Sequence, residues 1–253
     1  MKTAFIITSA INVSNDYPLT YSKTRSHFGA EERCRQTIFS VNSILQATKG
    51  MDTDIWIVDI SEDWGNYIGH FMFYPNVKFI SFAHDFPEHI NDVLTHPNKS
   101  RCECTILSQF LKKHKQQFSE YDYIFKMSGR YFFDGTFDIN IIKDNPDKIL
   151  YKKYIEFEWQ DSWGYEFVDR RADQGNNKLR QYSSVLFGWG KKHQPYFLDM
   201  FTSVSYMLDR PNMYHYDIET LGYFFSRQYA DDIIETDWIV SGWDGASGRF
   251  VRY

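Results

Sequence analysis

The chain has 253 residues, 43% of them hydrophobic, and a formal net charge of −5. That length and apolar content bury a substantial core, which excludes a disordered chain, and an acidic balance with no segment dense in Lys and Arg excludes broad nonspecific binding to nucleic acid. No apolar run reaches membrane-spanning length, and the cysteines Cys34, Cys102 and Cys104 cannot all pair, so reduced thiols and a cytoplasmic location are expected.

The opening run Ala4 to Ile11 is short, apolar and β-rich, and reads as a buried first strand rather than a signal sequence. A polar, turn-rich stretch follows to Gly29, long for a plain connection and therefore placed over the carboxyl edge of a sheet. Glu31 and Glu32 open a helix whose apolar face is Ile38, Val41, Ile44 and Leu45, closed by Gly50. Asp54 to Ile60 is a second buried strand and Val77 to Phe82 a third, giving a β-α-β start with a parallel sheet. A helix over Glu103 to Leu111 leads into YDYIFKMSGRYFF, from Tyr121 to Phe133, a core strand that ends on Lys, Ser, Gly and Arg.

The character changes near Asp147. Lys148 to Tyr151 and Tyr182 to Gly188 are strand-like, and Pro195 starts a helix with Phe197, Met200, Phe201, Val204 and Leu208 on one face, stopped by Pro211. A last aromatic helix runs from Tyr216 to Arg227. The expected fold is one α/β domain, a Rossmann-type sandwich with a mostly parallel central sheet flanked by helices, in two halves, 1–147 and 148–253.

No GxGxxG follows the first strand, and P-loop, GxSxG and HExxH motifs are absent, which removes the common dinucleotide, ATPase, hydrolase and zinc-protease readings. Asp59 ends the second strand, where a carboxylate can hold a ribose or base, although an Asp there also caps turns. Lys23, Arg25, Arg33 and Arg35 offer donors for a diphosphate near the sheet edge, or else belong to a solvated loop, and Arg25 and Arg33 are favoured as functional over Arg35.

The sequence TSAIN after the first strand, SKTRSHFGAEERCRQT before the first helix, IVDISE after the second strand and FKMSGRYFF at the fourth together resemble a divergent group of GT-A-fold glycosyltransferases, bacterial and viral enzymes that build surface polysaccharide. The resemblance covers Met1 to Asp138 in specific motifs. It implies glycosyl transfer from a nucleotide-sugar donor to a glycan acceptor, with inversion, and makes 1–147 the nucleotide-sugar-binding half and 148–253 the acceptor-binding half. In that fold the fourth strand ends at a DxD motif that binds a divalent metal; here Ser128, Gly129 and Arg130 stand in its place. Metal dependence on manganese or magnesium is therefore not favoured, no metal ligand is assigned, and Arg130, helped by Lys126 and Arg25, is expected to supply fixed positive charge to the leaving diphosphate. The donor site so implied comprises Ser9, Arg25, Arg33, Asp59, Lys126 and Arg130.

The same resemblance places the catalytic base near the start of a late helix, at Asp217 or Glu219, with His215 as a lesser candidate and a helix N-cap as the alternative role of Asp217. Trp159, Asp161 and Trp163, in an aromatic and acidic stretch, suit stacking on acceptor sugar rings, or else pack an irregular surface excursion. A noncatalytic carbohydrate-binding or scaffold protein on a degenerate transferase fold is the alternative, and a Rossmann-like methyltransferase a third reading.

Overall fold

The computed structural model describes residues 1–158, 178–214, 216–245 and 247–253. Its strands are β1 (Lys2–Ser9), β2 (Asp52–Asp59), β3 (Val77–Ser81), β4 (Tyr123–Ser128), β5 (Tyr131–Phe133), β6 (Ile149–Lys152), β7 (Ile155–Glu158), β8 (Lys178–Gln181), β9 (Leu186–Gly190), β10 (Ile233–Thr236), β11 (Val240–Trp243) and β12 (Phe250–Arg252). The helices are α1 (Ala30–Ala47), α2 (Phe82–Asp85), α3 (Pro87–Thr95), α4 (Lys99–Lys113), α5 (Lys115–Phe118), α6 (Ile141–Asp144), α7 (Gln194–Leu208) and α8 (Ile218–Ser226). Among the described residues no helix is long and apolar enough to cross a membrane.

Seven strands form the central sheet in the order β10-β6-β9-β4-β1-β2-β3, and all run parallel except β9, which is antiparallel to both β4 and β6. The mostly parallel sheet expected from the sequence is thus present. Helices cover both faces, which is why the strands read as nearly unbroken apolar runs. Ala4 and Ile6 pack on one side with Leu107 and Phe110 of α4 and Phe201 of α7, while Phe5 and Ile7 pack on the other with Val41 and Ile44 of α1.

Strand order reverses at β1, whose neighbours are β2 on one side and β4 on the other. In open α/β sheets such a switch point opens a crevice at the carboxyl ends of the strands. The register aligns those ends, pairing Ser9 with Asp59 and Thr8 with Ser128.

Two boundaries differ from the sequence reading, and both shape that crevice. The stretch from Tyr121 to Phe133 is two strands in different sheets, because the chain turns at Gly129 and Arg130 and enters a small antiparallel sheet ordered β12-β11-β5. Gly129 makes this turn against β1: its N–H donates to Thr8 O at 2.9 Å, and a Cβ there would stand 3.1 Å from both Thr8 O and Ile7 Cγ2. The second difference is α4, which begins at Lys99, one turn before the expected start, because Asn98 Oδ1 accepts the N–H of Arg101 at 2.9 Å as an N-cap.

Candidate active site

Arg130 follows the turn and is anchored from one side only. Its Nε donates to the carbonyl of Trp243 at 3.0 Å, and its own carbonyl accepts the Trp243 N–H at 3.3 Å. Two glycines make room for this: a Cβ on Gly242 would lie 2.3 Å from Arg130 O, and one on Gly245 would lie 2.9 Å from the Arg130 guanidinium carbon. Among the described residues, the two terminal nitrogens of Arg130 have no hydrogen-bond acceptor and no carboxylate within ion-pair reach.

Arg33 and Lys99 stand in the same field. Arg33, on α1, is only 3% exposed, and its buried Nε has no hydrogen-bond partner. Burial, together with the charge of Arg130, pushes it down to about 9, and it stays a cation at neutral pH. Lys99, in the first turn of α4, likewise has no acceptor for its ammonium among the described residues. Arg130 above all, then burial and Arg33, push it down to about 7 against the opposing pull of Glu103 and Asp244. Like charges left together without acceptors destabilise a folded chain, since an unsatisfied buried donor costs about 1–3 kcal/mol and more if charged. Arg33, with its buried unpartnered Nε, therefore lies in the field of Arg130, as does the half-exposed Lys99, and the three cations together could receive an anion.

Beside this site lies an acidic one, joined to it by a buried relay. The pleat places Lys126 on the α4 face of β4, where it is 0% exposed and its ammonium meets Glu103 Oε1 at 2.6 Å, Ser128 Oγ at 3.0 Å and the Ser184 carbonyl at 2.6 Å. Glu103 also accepts from Thr8 Oγ1 at 2.7 Å; burial raises its carboxyl, but Lys126 and Thr8 outweigh that and hold it below the usual range. The Ser184 hydroxyl in turn donates to Glu219 Oε1. Burial first, and the neighbouring Asp217 second, push the Glu219 carboxyl up to about 8.

Asp217 is the N-cap of α8. Its Oδ1 accepts the Thr220 N–H at 2.8 Å and its Oδ2 accepts from Gln181 Nε2 at 2.8 Å. Burial raises its carboxyl despite these donors. The capping role is thus observed, and Glu219, whose described hydrogen bond is a single one from Ser184, is the freer carboxylate of the two.

Several residues expected at the donor site face elsewhere. Asp59 is 0% exposed and both its oxygens accept backbone N–H groups, of Ile11 at 3.0 Å and Ser61 at 2.9 Å, so it shapes the loop after β1 as a turn cap. Ser9 is 5% exposed, with Oγ against Thr37 Oγ1 at 3.3 Å. Arg25 donates from Nε to the Tyr17 carbonyl at 2.7 Å and from a terminal nitrogen to the His96 carbonyl, clasping the long loop onto the segment before α4. Lys126 acts through Glu103 and Ser184 and has no donor left to offer a ligand. Trp159, Asp161, Trp163 and His215 lie outside the described residues.

A divalent metal fits this site poorly. The strand end supplies a guanidinium where carboxylates would be needed, and the next acids along the chain are engaged: Asp134 Oδ2 accepts from Arg252 Nε at 2.8 Å and Asp138 Oδ1 accepts the Asn140 N–H at 2.9 Å. Among the described residues no group of three or more His, Cys, Asp or Glu is arranged to hold a metal ion.

Lys99, Glu103 and Ser184 were not singled out in the sequence as site residues. Lys99 carried a usable signal: Asn98 is a good N-cap, and a lysine in the first turn after it opposes the helix dipole, an arrangement that invites a functional explanation.

No family model and no curated protein matches the chain. Among solved structures it is similar to a candidate nucleotide-diphospho-sugar transferase from Desulfovibrio desulfuricans G20, at 11% identity and a TM-score of 0.47, over 93% of this chain and 80% of that one. It is also similar to mouse xyloside xylosyltransferase 1 in its apo form, at 12% identity and a TM-score of 0.44, over 93% of this chain and 84% of that one. Both likenesses are of general arrangement.

Proposed function

We propose that the protein is a glycosyltransferase that moves a sugar from a nucleotide-sugar donor to a glycan or other surface-polysaccharide acceptor, with inversion and with protein cations in place of a metal. The observation that supports this best is the cluster of Arg33, Lys99 and Arg130, cations without acceptors at the switch point of the sheet, beside a carboxylate held high in Glu219. As the bond between the sugar's anomeric carbon and the diphosphate oxygen breaks, the negative charge released onto the diphosphate develops against these cations, which need no reorganisation to receive it. The acceptor hydroxyl oxygen forms the new bond to the anomeric carbon, and its proton passes to Glu219 in its ionised form, whose population grows as pH rises through about 8. Ser184 orients that carboxylate, and Lys126 fixes Ser184 through its carbonyl. Asp217 caps the helix that presents Glu219 and keeps that carboxyl basic by its negative charge.

The experiment is a thermal-shift panel of UDP, GDP, CMP and dTDP against S-adenosylmethionine, followed by donor turnover in EDTA. A nucleoside diphosphate is expected to raise the melting temperature, and turnover is expected to survive chelation. Glu219→Gln should lower turnover by roughly two to four orders of magnitude, the scale of a lost general base, while Asp217→Asn, which caps about as well, keeps most of it. If no nucleotide moves the melting temperature, the reading fails; if Asp217→Asn abolishes turnover and Glu219→Gln does not, the base is Asp217.

A further inference from the structure

A guanidinium serves a leaving anion only if it is held in place before the anion arrives, and the contacts of Arg130 show what holds it. Resting on the diphosphate reading above, we propose that Gly245 is a positioning residue of the site. The space left by its missing side chain, together with the Trp243 carbonyl, fixes the Arg130 guanidinium so that both terminal nitrogens are offered to one diphosphate.

The contacts divide the guanidinium into a held part and a free part. Nε donates to the Trp243 carbonyl at 3.0 Å, which leaves the terminal nitrogens as a fork, the geometry that meets two oxygens of a phosphate at once. A Cβ on Gly245 would stand 2.9 Å from Cζ, 3.1 Å from Nε and 3.2 Å from Nη1 of Arg130, and these are the three atoms it would meet most closely. A side chain at 245 and the guanidinium therefore compete for one space. Gly242 is different, since a Cβ there would stand 2.3 Å from the Arg130 carbonyl oxygen, which is backbone. Nor does conformation explain a glycine at 245, because the glycines with positive φ are Gly50, Gly135 and Gly248.

The turn that carries Gly245 is itself pinned on both sides. The Asp244 N–H donates to the Arg249 carbonyl at 2.9 Å, the Asp244 carbonyl accepts the Gly248 N–H at 2.8 Å, and Asp244 Oδ2 accepts the Ser247 N–H at 3.0 Å. The Gly245 carbonyl accepts the His27 N–H at 3.0 Å, and Gly248, at φ +70°, lies so close to the same residue that a Cβ would stand 2.2 Å from His27 Cδ2. His27 lies two residues before Gly29, whose carbonyl accepts the Arg33 N–H at 3.0 Å in the first turn of α1. One turn thus holds Arg130 by the carbonyl of Trp243 and, by the carbonyl of Gly245, the segment that leads to Arg33. Two like charges cannot position each other, so a neutral third element has to do it.

The test is isothermal titration of UDP, GDP and dTDP into the wild-type protein and a set of variants. Gly245→Ala should weaken nucleoside diphosphate binding by about 10- to 100-fold, the scale of one lost charge-assisted hydrogen bond. Its nucleotide-free melting temperature should stay near wild type, because the new methyl group meets first the flexible end of a side chain. Arg130→Ala removes the atoms that methyl group would meet, so adding Gly245→Ala to it should cost less than about twofold further. Arg130→Lys keeps the charge but cannot divide one nitrogen between carbonyl and ligand, and should bind like Gly245→Ala rather than like wild type. A merely structural role for Gly245 would make its loss equal with and without the Arg130 side chain. That result, or wild-type affinity in either Gly245→Ala or Arg130→Lys, overturns the inference although the diphosphate site stands. If none of the nucleotides binds the wild-type protein, the functional reading falls and this inference falls with it.

Discussion

Removing Glu103 should damage this protein more than removing the lysine it pairs with, and the structure gives the size of the difference. Lys126 is 0% exposed and its three acceptors are one carboxylate at 2.6 Å and two neutral oxygens, at 3.0 Å and 2.6 Å. In Glu103→Ala the ammonium keeps only the neutral pair in a dry interior, and orphaning a buried charge in this way costs about 3–5 kcal/mol. In Lys126→Met the carboxylate left behind is 18% exposed, still accepts from Thr8 at 2.7 Å, and has Lys99 in its field. Its loss is closer to that of one charge-assisted hydrogen bond, about 1.5–3 kcal/mol. The double variant Glu103→Leu, Lys126→Met removes both charges and should lie near wild type, because well-packed apolar residues replace buried pairs at little cost. A chain of this length melts with an entropy of about 0.5 kcal/mol/K, so the single variants should lose about 6–10 °C and 3–6 °C respectively. Calorimetric melts of the nucleotide-free protein check this. Losses below about 1 kcal/mol for both single variants would mean the pair behaves as a solvent-screened surface contact, and the buried relay described above would be refuted, as it would by the reverse order of losses.

Arg33→Met should stabilise the nucleotide-free protein by about 1–3 kcal/mol, because it removes a buried, unpartnered donor, while abolishing the melting shift produced by a nucleoside diphosphate; a drop in the nucleotide-free melting temperature would show that the guanidinium is already satisfied. Glu219→Gln should stabilise the fold in a pH-dependent way. The folded carboxyl is raised to about 8 by burial and Asp217, so the native state holds a proton that the unfolded chain has lost above its ordinary range. Wild-type stability from this group is therefore full in acid and is lost as pH rises through about 8, and the Gln variant should gain on wild type in melts at pH 8.5 and not at pH 4. A difference that does not change with pH contradicts the raised carboxyl.

The sheet was legible because its strands are buried on both faces: Ala4 to Ile7 and Ile55 to Val58 are unbroken apolar runs, each fully buried or nearly so. What was not legible depended on contacts between residues far apart in sequence. The period of two runs straight through Ser128, Gly129 and Arg130, so the break between β4 and β5 shows only once Gly129 is seen against Thr8 of β1. Lys126 looked like a ligand-binding cation at a strand end, yet the pleat turns it onto α4, where Glu103 meets it. Arg25 sits in a basic stretch of the chain and is a loop clasp; Lys99, outside that stretch, lies in the field of Arg33 and Arg130. Local density of charge is thus a poor guide to which charges meet. The carboxylates near the start of α8 were readable as a pair, but only the cap geometry separates Asp217 from Glu219.

Opposite charges in one crevice ordinarily find each other, and a surface pair made this way is worth at most about 1 kcal/mol. The exposed Tyr21 lies in the field of Glu219, Arg130, Asp244 and Glu103 together, so the acids and the cations share one region. Yet among the described residues Arg130 and Glu219 make no ion pair, and the reason is that each is tethered at its own root. Arg130 is held through Nε by the Trp243 carbonyl, in space that Gly242 and Gly245 leave open. Glu219 is held by the Ser184 hydroxyl, and Ser184 by Lys126, whose own charge is cancelled by Glu103. The buried pair therefore works as a neutral strut: it fixes the carboxylate's support without adding a net charge that would draw Arg130 across. A fold that placed stability first would let guanidinium and carboxylate close on one another. Holding them apart leaves donors facing one way and an acceptor the other, which is the arrangement needed if one reactant departs as an anion while the other gives up a proton.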